Sequence, residues 1–321
     1  MQYRNLGKSG LRVSVVGLGC NNLGGRIDVA ASRKVVHRAL DLGITMFDTA
    51  DIYGNVHGHI GGSESALGDI LGTHRKDIVL ATKFGMGMRE ERDFRGGGSR
   101  RYIMAAVEAS LRRLRTDWID LYQLHMPDTA TPIEETLRAL DDLVHQGKVR
   151  YIGCSNLPAW QLVEALWTSR HHGLIAFVSC QEEYSLLVRR IERDRLPVAE
   201  AYGLGILPYF PLANGMLTGK YRRGAEPPQG TRLKNTPYLA NLYMTPANWT
   251  QVENLTDFCQ ERGRALLELA FSWLAARPQV ASIIAGATRP EQIEENVKAV
   301  NWTLEAADIA EIDKLTCDLP G

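Results

Sequence analysis

The chain has 321 residues, 45% of them hydrophobic and 23% charged, with 37 basic residues set against 37 acidic ones. A formal net charge of zero supplies no overall field for nucleic acid or an anionic membrane, and no apolar run approaches the roughly 20 residues of a transmembrane helix. The five cysteines (Cys20, Cys154, Cys180, Cys259, Cys317) are odd in number, widely spaced and without a CxxC, which argues against a disulfide framework or structural zinc and fits a reducing cytoplasm.

The chain opens with a predicted hairpin, 3–6 and 11–14 around a Gly-Lys-Ser-Gly turn, of a size that could plug one end of a barrel. The apolar run that follows contains Ser14, Gly17 and Gly19 and reads as a strand rather than a secretory signal. From there short apolar strands alternate with amphipathic helical patterns, the mark of parallel βαβ units. Eight strands are predicted at 15–19, 44–47, 78–82, 119–124, 149–154, 176–180, 205–209 and 281–285. Helices are predicted at 30–42, 100–114, 132–145, 158–167, 194–202, 265–276 and 290–300, with a last polar helix at 303–317.

The gap between the seventh and eighth strands far exceeds the roughly 30 residues of a βα unit. It implies an insertion of about 45 residues, rich in Pro, Gly, Asn and Tyr over 212–249, of the kind that serves as a lid or binding loop. A dinucleotide-binding sheet would need GxGxxG after its first strand, but Gly17-Leu18-Gly19-Cys20-Asn21-Asn22 lacks the third glycine. Eight units therefore predict a single (β/α)8 TIM barrel domain spanning 1–321, with an N-terminal β-hairpin and a long loop after strand seven.

In such a barrel the chemistry gathers at the C-terminal strand ends. Strand two ends on Asp48 with Tyr53 following, strand three delivers Lys83, and strand four delivers His125. A carboxylate leaving a core needs a cation, and Lys83 is the candidate. Its ammonium would also lower the tyrosine's pKa, readying Tyr53 to protonate a carbonyl oxygen, with His125 as hydrogen-bond donor.

In order and spacing, Asp48, Tyr53, Lys83 and His125 resemble the catalytic tetrad of the aldo-keto reductases. Nearly the whole chain shares the likeness, through GCSN at 153–156, CQEEYSLL, YFPLANGMLTGKY and GATRPEQIEEN. The resemblance implies that Ser155, Asn156 and Gln181 bind a nicotinamide carboxamide and that Tyr209 stacks on its ring. Leu212, Gly215 and Lys220 would follow the pyrophosphate, while Gly286, Thr288, Arg289, Gln292, Glu295 and Asn296 grip the adenosine end. Arg289 is a natural partner for a 2′-phosphate, so NADP(H) is expected over NAD(H), without metal. Many members carry Lys-Ser where Gly286-Ala287 stand, and a serine where Phe210 stands.

Asn21, Asn22 and Met126 are expected to meet the substrate, a small aldehyde or ketone. The histidines His57 and His59 of the 55–62 loop, and the arginines of 89–101, read as solvated loops. Two other readings compete with an NADPH-dependent reductase: a redox-sensing regulatory subunit, and a lyase using Lys83 as a Schiff base, which the adjacent carboxylate disfavours.

Overall fold

The computed structural model describes residues 1–54, 60–87 and 96–316. His57, His59, Cys317 and residues 89–95 of the arginine-rich loop lie outside the described residues.

An antiparallel hairpin of β1 (Tyr3–Asn5) and β2 (Arg12–Ser14) precedes eight strands. These are β3 (Val16–Gly19), β4 (Met46–Asp48), β5 (Val79–Phe84), β6 (Ile119–Leu124), β7 (Val149–Ser155), β8 (Ser179–Glu183), β9 (Gly205–Tyr209) and β10 (Ile283–Gly286). Each pairs in parallel with its neighbour, and β10 returns to β3 to close the ring. Around it run α1 (Val29–Asp41), α2 (Gly62–Leu71), α3 (Arg100–Leu114), α4 (Ile133–His145), α5 (Ala159–His172) and α6 (Arg195–Tyr202). Then come α7 (Arg232–Asn235), α8 (Pro237–Tyr243), α9 (Pro246–Glu261), α10 (Leu266–Ala275), α11 (Pro290–Lys298) and α12 (Ala306–Thr316). The architecture is a (β/α)8 barrel with an N-terminal hairpin.

Two apolar clusters follow from the strands' period of two. Met46, Val79, Ala81, Leu121, Leu207 and Ile284 point into the barrel, where Leu6 and Val13 of the hairpin join them as a plug. Phe47, Leu80, Tyr122, Cys154, Ile206 and Ile283 point outward and pack under the helices. Little space remains inside: a Cβ on Gly17 would come within 2.7 Å of Ser282 Oγ and 2.8 Å of Ile284 Cδ1. The first strand's glycines thus serve packing. Arg4 ties the plug down by donating to the carbonyls of Ala275 (2.6 Å) and Val280 (2.8 Å).

Three expectations are corrected. The insertion after β9 is largely helical, because Thr-Pro pairs start its helices: Pro237 and Pro246 occupy the first turns of α8 and α9, and the Thr245 side chain accepts from the Asn248 N–H. Its last part is α9, a 16-residue helix. The sixth barrel strand begins at Ser179 and runs through SCQEE, three residues later than the apolar pattern suggests, because its polar side chains find partners on both faces. Lys83 lies within β5, fully buried, rather than beyond its end.

Candidate active site

Alternation along each strand brings the polar residues together. Counting inward positions, Met46 is followed by Asp48, Ala81 by Lys83 and Leu121 by Gln123, so above the apolar plug the barrel interior becomes polar. Asp48 accepts from Lys83 Nζ on one oxygen (2.6 Å) and from the side-chain amides of Gln181 (2.8 Å) and Gln123 (3.1 Å) on the other. Lys83 Nζ also donates to the Thr49 carbonyl at 2.9 Å. A buried ion pair persists only when its remaining valences are met, and here they are. Burial alone would lower the Lys83 ammonium, but Asp48 and Tyr53 outweigh it, so the net direction is up and the lysine stays charged.

Tyr53 sits on the turn after β4, half-buried, with Lys83 Nζ 4.9 Å from its ring centroid and hydrogen-bonded to its phenol. The lowered tyrosine pKa expected from sequence is corrected. Burial raises it more than Lys83 lowers it, with Asp48 adding to the rise, so the phenol holds its proton. The ammonium still reduces what proton loss costs in so dry a place. His125 meets Tyr53 edge-on, with ring centroids 5.7 Å apart at 82°. Burial first, and Lys83 second, push its imidazole down to about 3, so it is neutral at physiological pH. Its Nδ1 is buried without a partner.

These groups open into a cavity of about 1280 Å3, and every site residue expected from sequence lines it except Lys83, which lies beneath its floor. At the near end Asn156, in a left-handed conformation (φ 62°), donates to the His125 carbonyl (3.0 Å) and Ser155 Oγ (2.9 Å) and accepts from the Tyr209 hydroxyl (2.8 Å). Ser155 in turn donates to the Gln181 carbonyl at 2.9 Å. At the far end Arg289 caps α11, Pro290 opens it, and Gln292 accepts from the Thr288 N–H at 2.8 Å.

The lining suits an extended nucleotide. Asn214 is buried in the wall with both side-chain polar atoms unpartnered, Ala213 and Asn214 hold left-handed backbone (φ 45° and 56°), and Thr288, Arg289 and Gln292 at the start of α11 line the cavity. Among the described residues no three His, Cys, Asp or Glu side chains gather as a metal would require.

Sequence reasoning missed Gln123 and Asn214, and also Arg26, Arg190 and Arg232, all three of which line the cavity. A polar residue inside a buried strand was the available signal for Gln123. The arginines gave none, since Arg26 lies outside regular structure and Arg190 and Arg232 open helices of three and four residues, too short to show periodicity. It also missed a buried acid layer behind β4 and β5, where Glu64 accepts from Thr82 (2.5 Å) and Arg113 (2.7 Å) and Asp51 from Tyr102 (3.2 Å).

Comparison with known proteins agrees with the geometry. The model of the Aldo/keto reductase family matches residues 15–316. An Arabidopsis thaliana protein named "Probable voltage-gated potassium channel subunit beta" is 38% identical over 307 residues, covering 94% of this chain and 92% of that protein. The L-glyceraldehyde 3-phosphate reductase of Escherichia coli K12 is 35% identical over 332 residues, 99% of this chain and 93% of its own. An uncharacterised oxidoreductase of Bacillus subtilis is 37% identical over 311 residues, 95% of this chain and 93% of its own.

Proposed function

The chain belongs to the aldo/keto reductase family, and from that premise we propose that it reduces small aldehydes and ketones with NADPH, Tyr53 delivering the proton. Membership makes it an NAD(P)H-dependent oxidoreductase. The observation that carries the finer reading is the Asp48–Lys83 pair at 2.6 Å beneath a protonated Tyr53 at the mouth of a large cavity.

The nicotinamide, when bound, supplies the hydride that reduces the carbonyl carbon. Tyr53 gives its proton to the carbonyl oxygen as negative charge develops there, and the Lys83 ammonium steadies the phenolate that remains. Asp48 holds that ammonium in position and charged. His125, neutral at working pH, donates one ring N–H to the same oxygen without competing as an acid. Ser155, Asn156 and Gln181 would orient the carboxamide, with Tyr209 against the ring. Leu212, Gly215, Asn214 and Lys220 would meet the pyrophosphate, and Gly286, Thr288, Arg289, Gln292, Glu295 and Asn296 the adenosine end. Asn21 and Met126, which also line the cavity, would touch the substrate. Buried free cysteines at 20, 154, 180 and 259 suit a reducing compartment such as the cytoplasm.

The test is Tyr53→Phe, assayed by NADPH oxidation with a panel of small aldehydes and by cofactor fluorescence titration. Turnover should fall by about a hundredfold or more while cofactor affinity is kept. Wild-type rates in that variant would sink the mechanism. A second reading, a cofactor-binding regulatory subunit with little turnover, draws on the relatives named as potassium channel subunits. Tight NADPH binding with negligible turnover across the panel would favour it.

A further inference from the structure

Tyr53 lies beyond the end of β4, on a turn rather than a strand, so its phenol needs outside support to stay beside Lys83. Ser63, the second residue of α2, supplies it. Gly61 caps that helix without a side chain, which leaves the first-turn N–H groups to find partners elsewhere. The Ser63 N–H donates to the Tyr53 carbonyl at 3.1 Å. Its hydroxyl donates to the carbonyl of Cys20, just after β3, at 2.7 Å, and lies 2.8 Å from Thr49 Oγ1. Because the one hydroxyl proton of Ser63 goes to Cys20, Thr49 is the donor in the second contact. Thr49 in turn accepts from Lys83 Nζ on its carbonyl at 2.9 Å. One serine thus touches both the residue that carries the phenol and the residue that holds the ammonium.

Bare backbone brings α2 close enough for this. A Cβ on Gly62 would come within 2.6 Å of the Gly24 carbonyl oxygen, and one on Gly54 (φ 76°) would overlap the Ser63 nitrogen. Side chains at either place would push α2 outward and break the contacts. The Tyr53 turn is also tied to β5, since the Thr49 and Asp51 N–H groups donate to the carbonyls of Ala81 (2.9 Å) and Lys83 (3.1 Å). Ser63 and Thr49 are fully buried and neither lines the cavity, so water does not compete for their hydroxyls and neither meets a ligand.

Resting on the reductase reading above, we propose that Ser63 is a positioning residue for the proton transfer. Acting with Thr49, it fixes the Tyr53 phenol against the Lys83 ammonium without touching substrate or cofactor. Loosening this clamp costs rate rather than affinity, because a small misplacement of the phenol is felt where the proton moves.

Steady-state kcat and KM, single-turnover rates of NADPH oxidation with a small aldehyde, and NADPH Kd are measured for Ser63→Ala, Thr49→Val and the double variant. Ser63→Ala should lower kcat about tenfold while KM and Kd stay within about twofold. Thr49→Val should act alike and the double variant should lose little more, since both break one chain of hydrogen bonds. In a Tyr53→Phe background no phenol remains to be positioned, so Ser63→Ala should have no further effect. Equal loss in the two backgrounds, a loss confined to KM or Kd, or unaltered kcat overturns the positioning role. Wild-type rates in Tyr53→Phe alone overturn the reductase mechanism and this proposal with it, whereas a slow Tyr53→Phe beside a fully active Ser63→Ala overturns the proposal only. Hydrogen–deuterium exchange of the NADP-loaded protein needs no turnover. Exchange in peptides covering 49–54 should quicken about tenfold in Ser63→Ala, or in Thr49→Val if the alanine variant does not fold, with β5 unchanged. Equal exchange in wild type and variant overturns the clamp.

Discussion

Asp51 stands between Asp48 and Tyr53 in sequence, yet its carboxyl turns away from the cavity to Tyr102 on α3. It is buried, its Oδ1 has no partner among the described residues, and Glu64 and Tyr122 lie close by, with Arg113 a nearby cation. Burial, and next the Glu64 charge, push Asp51 up to about 7. The sign follows from linkage: between about pH 4 and about 7 the folded chain keeps a proton that the unfolded chain has released, so stability falls as pH rises through that window. Asp51→Asn removes the titration while keeping the shape. Its unfolding free energy relative to wild type should improve between pH 5 and pH 8, by roughly 1–3 kcal/mol. Glu182, pushed by burial to about 7, has the same sign in both proteins and cancels in the difference. Chemical denaturation at the two pH values checks this, and a difference that does not change with pH would count against a protonated Asp51.

At the scale of elements, α11 is proposed to carry the choice of cofactor. Arg289 holds extended backbone at its N-cap (φ −149°, ψ 154°), with Pro290 fixing the first turn and Ile293 and Asn296 burying the inner face. The free N–H groups of that turn favour any phosphate, but only a charged side chain beside them separates a 2′-phosphate from a hydroxyl. Arg289→Gln should therefore weaken NADPH by about tenfold and leave NADH nearly unaffected, read from cofactor fluorescence titrations. Equal weakening of both would assign the arginine to the part they share. The strands were legible because short apolar runs repeat and a polar residue closes them, which also exposed Asp48, Lys83 and His125. β8 was misplaced by three residues, since Gln181 facing Asp48 and Glu182 facing Arg195 at 3.4 Å disguise a buried strand as a polar segment. The segment around Arg232 was opaque for a different reason: helices of four and seven residues leave no periodicity to read, and their register comes from packing against the rim.

For the molecule as a whole, closure decides how stability is shared. The first barrel strand, β3, is completed only when β10 arrives from near the C-terminus, pairing Val16 with Ile283 and Gly19 with Gly286. The hairpin plug is likewise held from far along the chain, by Arg4 on the carbonyls of Ala275 and Val280 and by the Gly203 carbonyl accepting from the Lys8 N–H at 2.8 Å. If β3 leaves, β4 and β10 each lose a neighbour, and if β10 leaves, β3 and β9 do. The chain from 1 to 321 is accordingly proposed to behave as one domain despite its length. Its six tryptophans test this: Trp118 stacks on Arg75 beside β6, Trp249 is buried in α9, Trp273 is buried in α10, and Trp302 stacks on Phe258. Urea unfolding followed by tryptophan fluorescence and by far-ultraviolet circular dichroism should give coincident midpoints and slopes. An early fluorescence transition with the dichroism unchanged would mean that the α9–α10 quarter unfolds apart from the ring, and the single-domain reading would fail.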